Sequence, residues 1–600
     1  MSPRVSTNLI LSPGRPLKSK LGCKTCKIRR VKCGEEKPSC LRCTQTGRKC
    51  DYGSNKSSSD LILSRALASP LSSTPNTISR ERRAFAYYFQ CAATSVGGGL
   101  DVDFWLHIVP QVCRREPAVW DAMICISALC ETPDSNTAPT SLQQVSRSSS
   151  QNRQDALDWY SRSVSGVRQG IERGNVDAFV GLITCVLFIC IESLLGSIEE
   201  VMRLYAQGVQ LIATLREQKA YDKLTLLRET VIPIFVRLGI FSPQSSWPSA
   251  MSLLSETAYG ERAPFSRPGF PSLKAARDAI VVLAAEIPIM ENECESYLQS
   301  SHAWYISEDL MDRQRSLSAR LADWQISFTN LMKSEQNGKE SLSPTQISIS
   351  ALLLTYHEML FVILSVCVSP VRVSTDAYTQ NFRIIVEQAS IALTNSVQNN
   401  GALSPYTFEI SVGLPLWFTC LRCREPIIRR VALSLLASSH RIQGLSKREH
   451  GITLVEKIME LEEAHFISTS PSNLTPNTTE GITTPTNEQP WPYYSDMSSP
   501  SSPFKALNIK APSIPSPPLT DVDQESATQF MGFIPQEARI RPHGIFRPRD
   551  GYPSGKTRDD FAHWGRDDDQ FYMEFSWNEC DESDQTWRMV FGYVPIDIMP

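Results

Sequence analysis

Six cysteines crowd into the N-terminal end of the chain: Cys23, Cys26, Cys33, Cys40, Cys43 and Cys50, spaced C-x2-C-x6-C-x6-C-x2-C-x6-C. The same half-motif is thus used twice. A C-x2-C turn can place two thiolates on one ion, and the third cysteine of each half returns after a short helix. Tetrahedral zinc needs four ligands, so two zinc ions need eight ligand places where six thiolates are available. Two cysteines must then bridge both ions, and the repeat makes Cys23 and Cys40 a natural pair. With a single zinc, two cysteines would be left over. A disulfide knot is the competing reading, with 15 possible connectivities. Residues 1–10 lack the apolar core of a secretory signal, so a reducing compartment is expected, where clustered cysteines favour metal. A RING or LIM site would need eight ligands, and the segment has no histidine.

Charge follows the cysteines. Residues 1–50 hold thirteen Lys+Arg and two Glu, a net of +11, while the whole chain carries −3, which leaves −14 on the rest. A basic end on an acidic body points to a nucleic-acid contact. Between Cys26 and Cys33 lie Lys27, Ile28, Arg29, Arg30, Val31 and Lys32, four of them basic. Arg and Lys donate to guanine O6 and N7 in the major groove, and neighbouring cations hold phosphates. Arg42, Arg48 and Lys49 in the second half suit backbone contact. A solvated helix face without a partner is the bland alternative for Lys27–Lys32; a metal-held scaffold around it favours double-stranded DNA. The run Arg29-Arg30-Val31-Lys32 also fits a short nuclear-import signal, and a nuclear location is expected.

The stretch Gly22-Cys23-Lys24-Thr25-Cys26-Lys27-Ile28-Arg29-Arg30-Val31-Lys32-Cys33, followed by Pro38-Ser39-Cys40-Leu41-Arg42-Cys43 and Cys50, resembles the fungal binuclear zinc-cluster transcription factors. The resemblance implies two zinc ions bridged by the first and fourth cysteines. It also implies that Arg29 and Arg30 sit where the family reads a CGG-type triplet. A looser resemblance, from Phe104-Trp105 through Glu116-Pro117-Ala118-Val119-Trp120-Asp121 to Glu131, is to the start of the helical middle region of these regulators.

The rest of the chain divides by composition. Residues 1–20 read as a basic disordered arm, 21–52 as the zinc cluster and 53–79 as a Ser-rich linker. The linker has no sustained heptad pattern, so a homodimer has no visible coiled-coil element. Residues 80–466 follow a helical period and predict an all-α regulatory domain, so the fold class is mainly α with disordered linkers. Helices are expected near Ala156–Glu172, Ile198–Arg216, Lys223–Leu238, Leu273–Leu298, Met311–Leu331, Gln346–Val368, Phe382–Val397 and Ile427–Leu436. Pro288 should kink or split one of them, and Ser141–Ser150 and Ser242–Pro271 read as loops. In the helix opened by Pro117, the residues Trp120, Met123, Ile124, Ser127 and Ala128 share one face. The longest uncharged apolar runs, Ala178–Ile191 and Met359–Val371, are fourteen and thirteen residues long, short of the roughly 20 a membrane span needs. They read as buried core helices, and no membrane partner is expected.

Residues 467–558, rich in Ser, Thr and Pro, read as disordered. Residues 551–600 hold eleven Asp+Glu and four Lys+Arg interleaved with Phe561, Trp564, Phe571, Tyr572, Phe575, Trp577, Trp587, Phe591 and Tyr593. For 559–600 there are two readings: an activation segment that meets a coactivator or the transcription machinery, or a stretch folded back on the helical domain, since Phe571–Phe575 suits a strand.

Catalytic motifs are missing. His357-Glu358 opens like a zincin motif, but Phe361 stands where the second histidine belongs. Cys420-x2-Cys423 has no second pair nearby and reads as packed thiols. Gly97-Gly98-Gly99 is an isolated loop signal. An enzyme is not expected. A sequence-specific DNA-binding transcription regulator is, with a zinc-cluster interaction protein that makes no direct DNA contact as the alternative.

Overall fold

In the computed structural model, the structure describes residues 22–29, 31–36, 39–50, 77–131, 142–174, 177–218, 227–240, 248–259, 269–301, 306–337, 342–369, 372–396, 403–404, 406–469, 534, 538–553, 556–558, 561, 568–581 and 586–597. The chain divides into two compact units, residues 1–86 and 87–600. In the first, two one-turn helices, Lys24–Ile28 and Leu41–Thr44, follow the first cysteine of each half-motif.

The second unit is mainly α, as its periodicity requires. Its helix ends carry the expected chemistry. Asp177 accepts from Phe179 N at 2.8 Å, and Gly196, at φ +90°, closes the same helix Ala178–Leu195 in the left-handed region. Ser343 and Gln346 form a capping box ahead of Pro344–Val366, with Pro344 in the first turn. Pro426 opens Pro426–Ser438 behind a Glu425 cap. The helices Ala178–Leu195 and Pro344–Val366 are long and apolar enough to cross a membrane, but both are packed inside this unit and bury most of their side chains. The face read around Trp120 is part of a helix, Pro117–Cys130, that buries nearly all of its residues from Val119 to Leu129.

Three expectations need correction. Pro288, expected to kink or split its helix, does not split it: the helix runs from Leu273 to Ser301. Ile287, Met290 and Cys294 are fully buried on either side of it, and that packing outweighs the roughly 3 kcal/mol helix penalty of proline. The expected loops are partly helical: Ser141–Ser150 lies mostly inside Leu142–Glu172, and Pro248–Tyr259 is a helix within Ser242–Pro271. Met251 and Leu254 anchor the latter in the core, a long-range gain that local composition does not reveal.

The third correction is the C-terminus. A small sheet of β1 (Tyr406–Thr407), β2 (Ile442–Gln443) and β3 (Ser446–Lys447) sits among the helices. Beyond it, residues 541–546, expected to be disordered, and the acidic-aromatic tail together form an antiparallel sheet: β4 (Arg541–Phe546), β5 (Phe571–Asp581) and β6 (Thr586–Ile596). β5 pairs β6 from Phe571↔Ile596 to Asp581↔Thr586. On one face Phe546, Tyr552, Phe561, Tyr572 and Tyr593 pack together, with Phe561 and Tyr593 4.9 Å apart edge to face. The aromatics thus gain a core of their own, which offsets the ordering cost that composition alone suggests would win.

Candidate metal centre and nucleic-acid interface

The core of the first unit is sulfur. Cys23, Cys26, Cys40 and Cys43 are fully buried, Cys33 nearly so, and Cys50 packs against them. The aliphatic residues nearby point outward instead: Ile28 is 80% and Leu41 56% exposed. A segment this short has no apolar core to hold it, so something must link the thiols.

Sulfur geometry meets that need. Cys23 Sγ lies 3.7 Å from Cys40 Sγ and 3.6 Å from Cys43 Sγ, and Cys26 Sγ lies 3.7 Å and 3.8 Å from the same two. A zinc–sulfur bond of about 2.3 Å gives a tetrahedron edge of about 3.8 Å. All four sulfurs lie within 4.8 Å of one another. Cys33 reaches the thiols of Cys26 and Cys40, while Cys50 reaches those of Cys23, Cys40 and Cys43. The residues present therefore fit zinc.

The two halves repeat each other down to the backbone. Cys23 N donates to Cys33 Sγ, and Cys40 N donates to Cys50 Sγ, both at 3.3 Å. Cys26 N also donates to Cys23 Sγ at 3.3 Å, so a thiol caps the first helix. Burial raises the thiols of Cys23, Cys26, Cys40, Cys43 and Cys50, yet Cys40 is pulled down to about 6 by the Cys43 backbone N–H and neighbouring thiols. Cys23 is lowered likewise by Cys26 and Cys43. Cys26, Cys43 and Cys50, where burial prevails, stand at about 12. Of the thiols named, the first cysteine of each half is the one held down.

Around this centre the expected basic residues are distributed unevenly. Lys27, Lys32, Arg42, Arg48 and Lys49 are exposed. Arg29 is half-buried and donates from Nη1 to Thr46 Oγ1 at 3.1 Å, while Thr25 Oγ1 donates to the Lys49 carbonyl at 2.9 Å. Those two bonds tie the halves together. Arg30 lies outside the described residues. Sequence reasoning passed over Thr25, Thr46 and Glu36. The Glu36 carboxylate accepts from Leu41 N at 3.0 Å at the start of the second helix, and that bond lowers its pKa. An acid in so basic a segment was the available signal.

The family model described as the fungal Zn(2)-Cys(6) binuclear cluster domain matches residues 21–59. The N-terminal unit carries this cluster. Domains of this family hold two zinc ions through their six cysteines. Over 388 residues the chain is 25% identical to the aspercryptin biosynthesis cluster-specific transcription regulator atnN of Emericella nidulans, covering 57% of this chain and 60% of that protein. The match to the transcriptional regulatory protein moc3 of Schizosaccharomyces pombe is 56% over 34 residues, covering 6% of this chain and 7% of that one. For the transcription factor lfc1 of Flammulina velutipes it is 49% over 35 residues, covering 6% and 12%. The chain thus spans under two thirds of the length of each of these relatives. No solved structure matches it.

The remaining sequence signals lie apart from the binuclear cluster. Cys420 and Cys423 are buried, with their sulfurs directed at the carbonyls of Arg429 and Glu425, and burial pushes the thiols up to about 12 and about 11. Exchange of both for alanine is expected to leave the zinc content at two per chain; elemental analysis of the purified variant checks this. His357 is stacked 5.6 Å from the Trp324 ring, with Nδ1 3.1 Å from Glu358, whose other oxygen accepts from Asn381. Gly98, at φ +58°, faces Glu409 in a turn that only glycine enters easily.

Proposed function

We propose that this chain is a zinc-dependent, sequence-specific regulator of transcription that binds double-stranded DNA and acts in the nucleus. One observation carries the reading: a basic one-turn helix is set directly on a cluster of buried cysteine sulfurs whose nearest neighbours stand 3.6–3.8 Å apart, as thiolates sharing zinc do. In this reading Cys23, Cys26, Cys33 and Cys40 hold one zinc, and Cys23, Cys40, Cys43 and Cys50 hold the other, with Cys23 and Cys40 bridging. The repeated N–H···S bonds, from the first cysteine of each half to the third, support that two-fold partition. Zinc supplies a rigid cross-link that replaces an apolar core.

The protein's own side chains do the recognition. Lys27, Arg29, Arg30 and Lys32 follow the first helix into the major groove, where Arg30 donates to guanine O6 and N7 of a CGG-type triplet. Arg29, tied to Thr46, stiffens that helix against the second half. Arg42, Arg48 and Lys49 hold phosphates and fix the register.

Arg30→Ala is expected to weaken binding to a CGG duplex by about 1–3 kcal/mol while leaving scrambled duplexes unaffected. Lys49→Ala should weaken all duplexes alike and flatten the salt dependence by about one unit of slope. Fluorescence anisotropy over a salt series separates the two. Equal effects on both duplexes would remove the division of roles, and no salt-dependent binding at all would favour a zinc-cluster interaction protein. A homodimer on paired half-sites would show as a second binding step whose midpoint depends on half-site spacing. A coactivator contact through 559–600 would be made by a folded sheet, and reporter activation by residues 534–600 fused to an unrelated DNA-binding domain tests it.

A further inference from the structure

The way the C-terminal sheet is attached differs from the way the helices are joined to one another. The helices meet through broad apolar faces with buried ion pairs among them, whereas residues 538–547 are held to four elements of the bundle chiefly by arginines and one backbone N–H. Arg539, 1% exposed, donates from Nη1 and Nη2 to the two Asp376 oxygens at 3.0 and 2.6 Å, and from Nε and Nη2 to the Ile534 carbonyl at 3.0 and 2.9 Å. Ile540 N donates to Glu462 Oε1 at 2.9 Å. Arg541 pairs with Glu295, and Arg547 with Glu199 at 2.5 Å. The four acids come from four separate elements: the 3-10 turn Arg372–Tyr378, and the helices Arg448–Thr469, Leu273–Ser301 and Ile198–Glu217. Among the described residues Ile534 and Ala538 form a small buried cluster, and Ile540 is buried as well.

We propose that residues 534–600 are a separable module, docked on the helical bundle by this arginine strap and able to leave while the bundle stays folded. Three features support it. The sheet has its own aromatic core, so it keeps its cohesion when detached. The socket does not strand a charge: Glu462, the most buried acid, keeps Arg424 at 2.6 Å and Arg429 at 2.8 Å from the bundle itself. Asp376 is 24% exposed and takes up water, as does the departing Arg539. Breaking a buried pair is costly chiefly when one partner stays buried alone, and here neither does. Residues 470–533 connect strap to bundle, so a detached module stays tethered, and the added closure entropy of so long a connection is small. The inference does not depend on the nucleic-acid reading.

The test uses the full chain with a protease recognition sequence inserted after Pro500. After cleavage the wild-type C-terminal piece should still co-elute with the bundle on gel filtration, and with Arg539→Gln it should separate. In the uncleaved chain, Arg539→Gln should speed hydrogen exchange in 538–546 about tenfold to a hundredfold, with Leu273–Ser301 and Pro344–Val366 unchanged. Asp376→Asn makes the same break from the bundle side and should give the same pattern. A wild-type piece that separates on cleavage, or an Arg539→Gln piece that stays bound with unchanged exchange, would overturn the proposal. So would faster exchange spread equally over strap and bundle helices in both variants, because the strap would then be part of one cooperative core.

Discussion

Exchange of Cys40 for serine is expected to lower the zinc content from two per chain to one or none and to unfold the N-terminal unit, whereas exchange of Cys33 should remove only one ion. The difference follows from position. In the proposed partition Cys40 serves both ions, and its Sγ lies 3.7 Å from both Cys23 and Cys26. In that partition Cys33 serves one. Structural zinc contributes on the order of 10–16 kcal/mol in small domains at neutral pH. Among the described residues of 22–50 the buried side chains are the cysteines themselves, so no apolar core stands in for the metal there. Chelation of the wild-type chain should therefore abolish ordered structure in 22–50 and leave the helical unit folded. Elemental analysis with hydrogen exchange over residues 22–50 measures both. Equal losses from Cys33→Ser and Cys40→Ser would mean that Cys40 is not shared.

The cysteine centre was legible because metal ligation is local. Spacing fixes which thiols can meet, and the arithmetic of ligands against ions does the rest. The helical unit was legible for a related reason: apolar period and end chemistry are written along the chain, as at Ser343-Pro344-Thr345-Gln346. The failures all involve non-local terms. Residues 142–150 and Pro248–Tyr259 read as loops but are helical, the latter anchored by buried Met251 and Leu254. Leu273–Ser301 carries Pro288 because burial on both sides compensates. The terminal sheet needs β4, β5 and Phe561 together before its aromatics find each other, and no short window contains all three. The arginine strap was invisible for the same reason: Arg539 and Asp376 are 163 positions apart.

Removing one arginine from the buried ionic network of the helical unit should have the largest effect there. Arg237 of Ile232–Ile240 and Arg277 of Leu273–Ser301 face Asp101 and Glu409, and all four side chains are at most 10% exposed. Arg277 Nη2 lies 3.1 Å from Asp101 and 2.8 Å from Asp278, and its Nη1 meets Glu409. Two inward carboxylates are thus balanced by two guanidiniums. Arg277→Met keeps much of the side-chain volume and leaves Asp101 and Glu409 to share Arg237 alone. An uncompensated charge at such depth costs about 3–5 kcal/mol, against a whole-domain stability of about 5–15 kcal/mol. The expected result is a large fall in the urea midpoint at unchanged slope, with zinc content and duplex binding retained where the chain remains folded. The partner substitutions decide between charge and packing. Adding Glu409→Gln to Arg277→Met removes the stranded charge and should recover part of the loss, because the two positions are coupled rather than additive. If the double variant is less stable than Arg277→Met by the full cost of Glu409→Gln alone, the network acts through shape rather than charge balance.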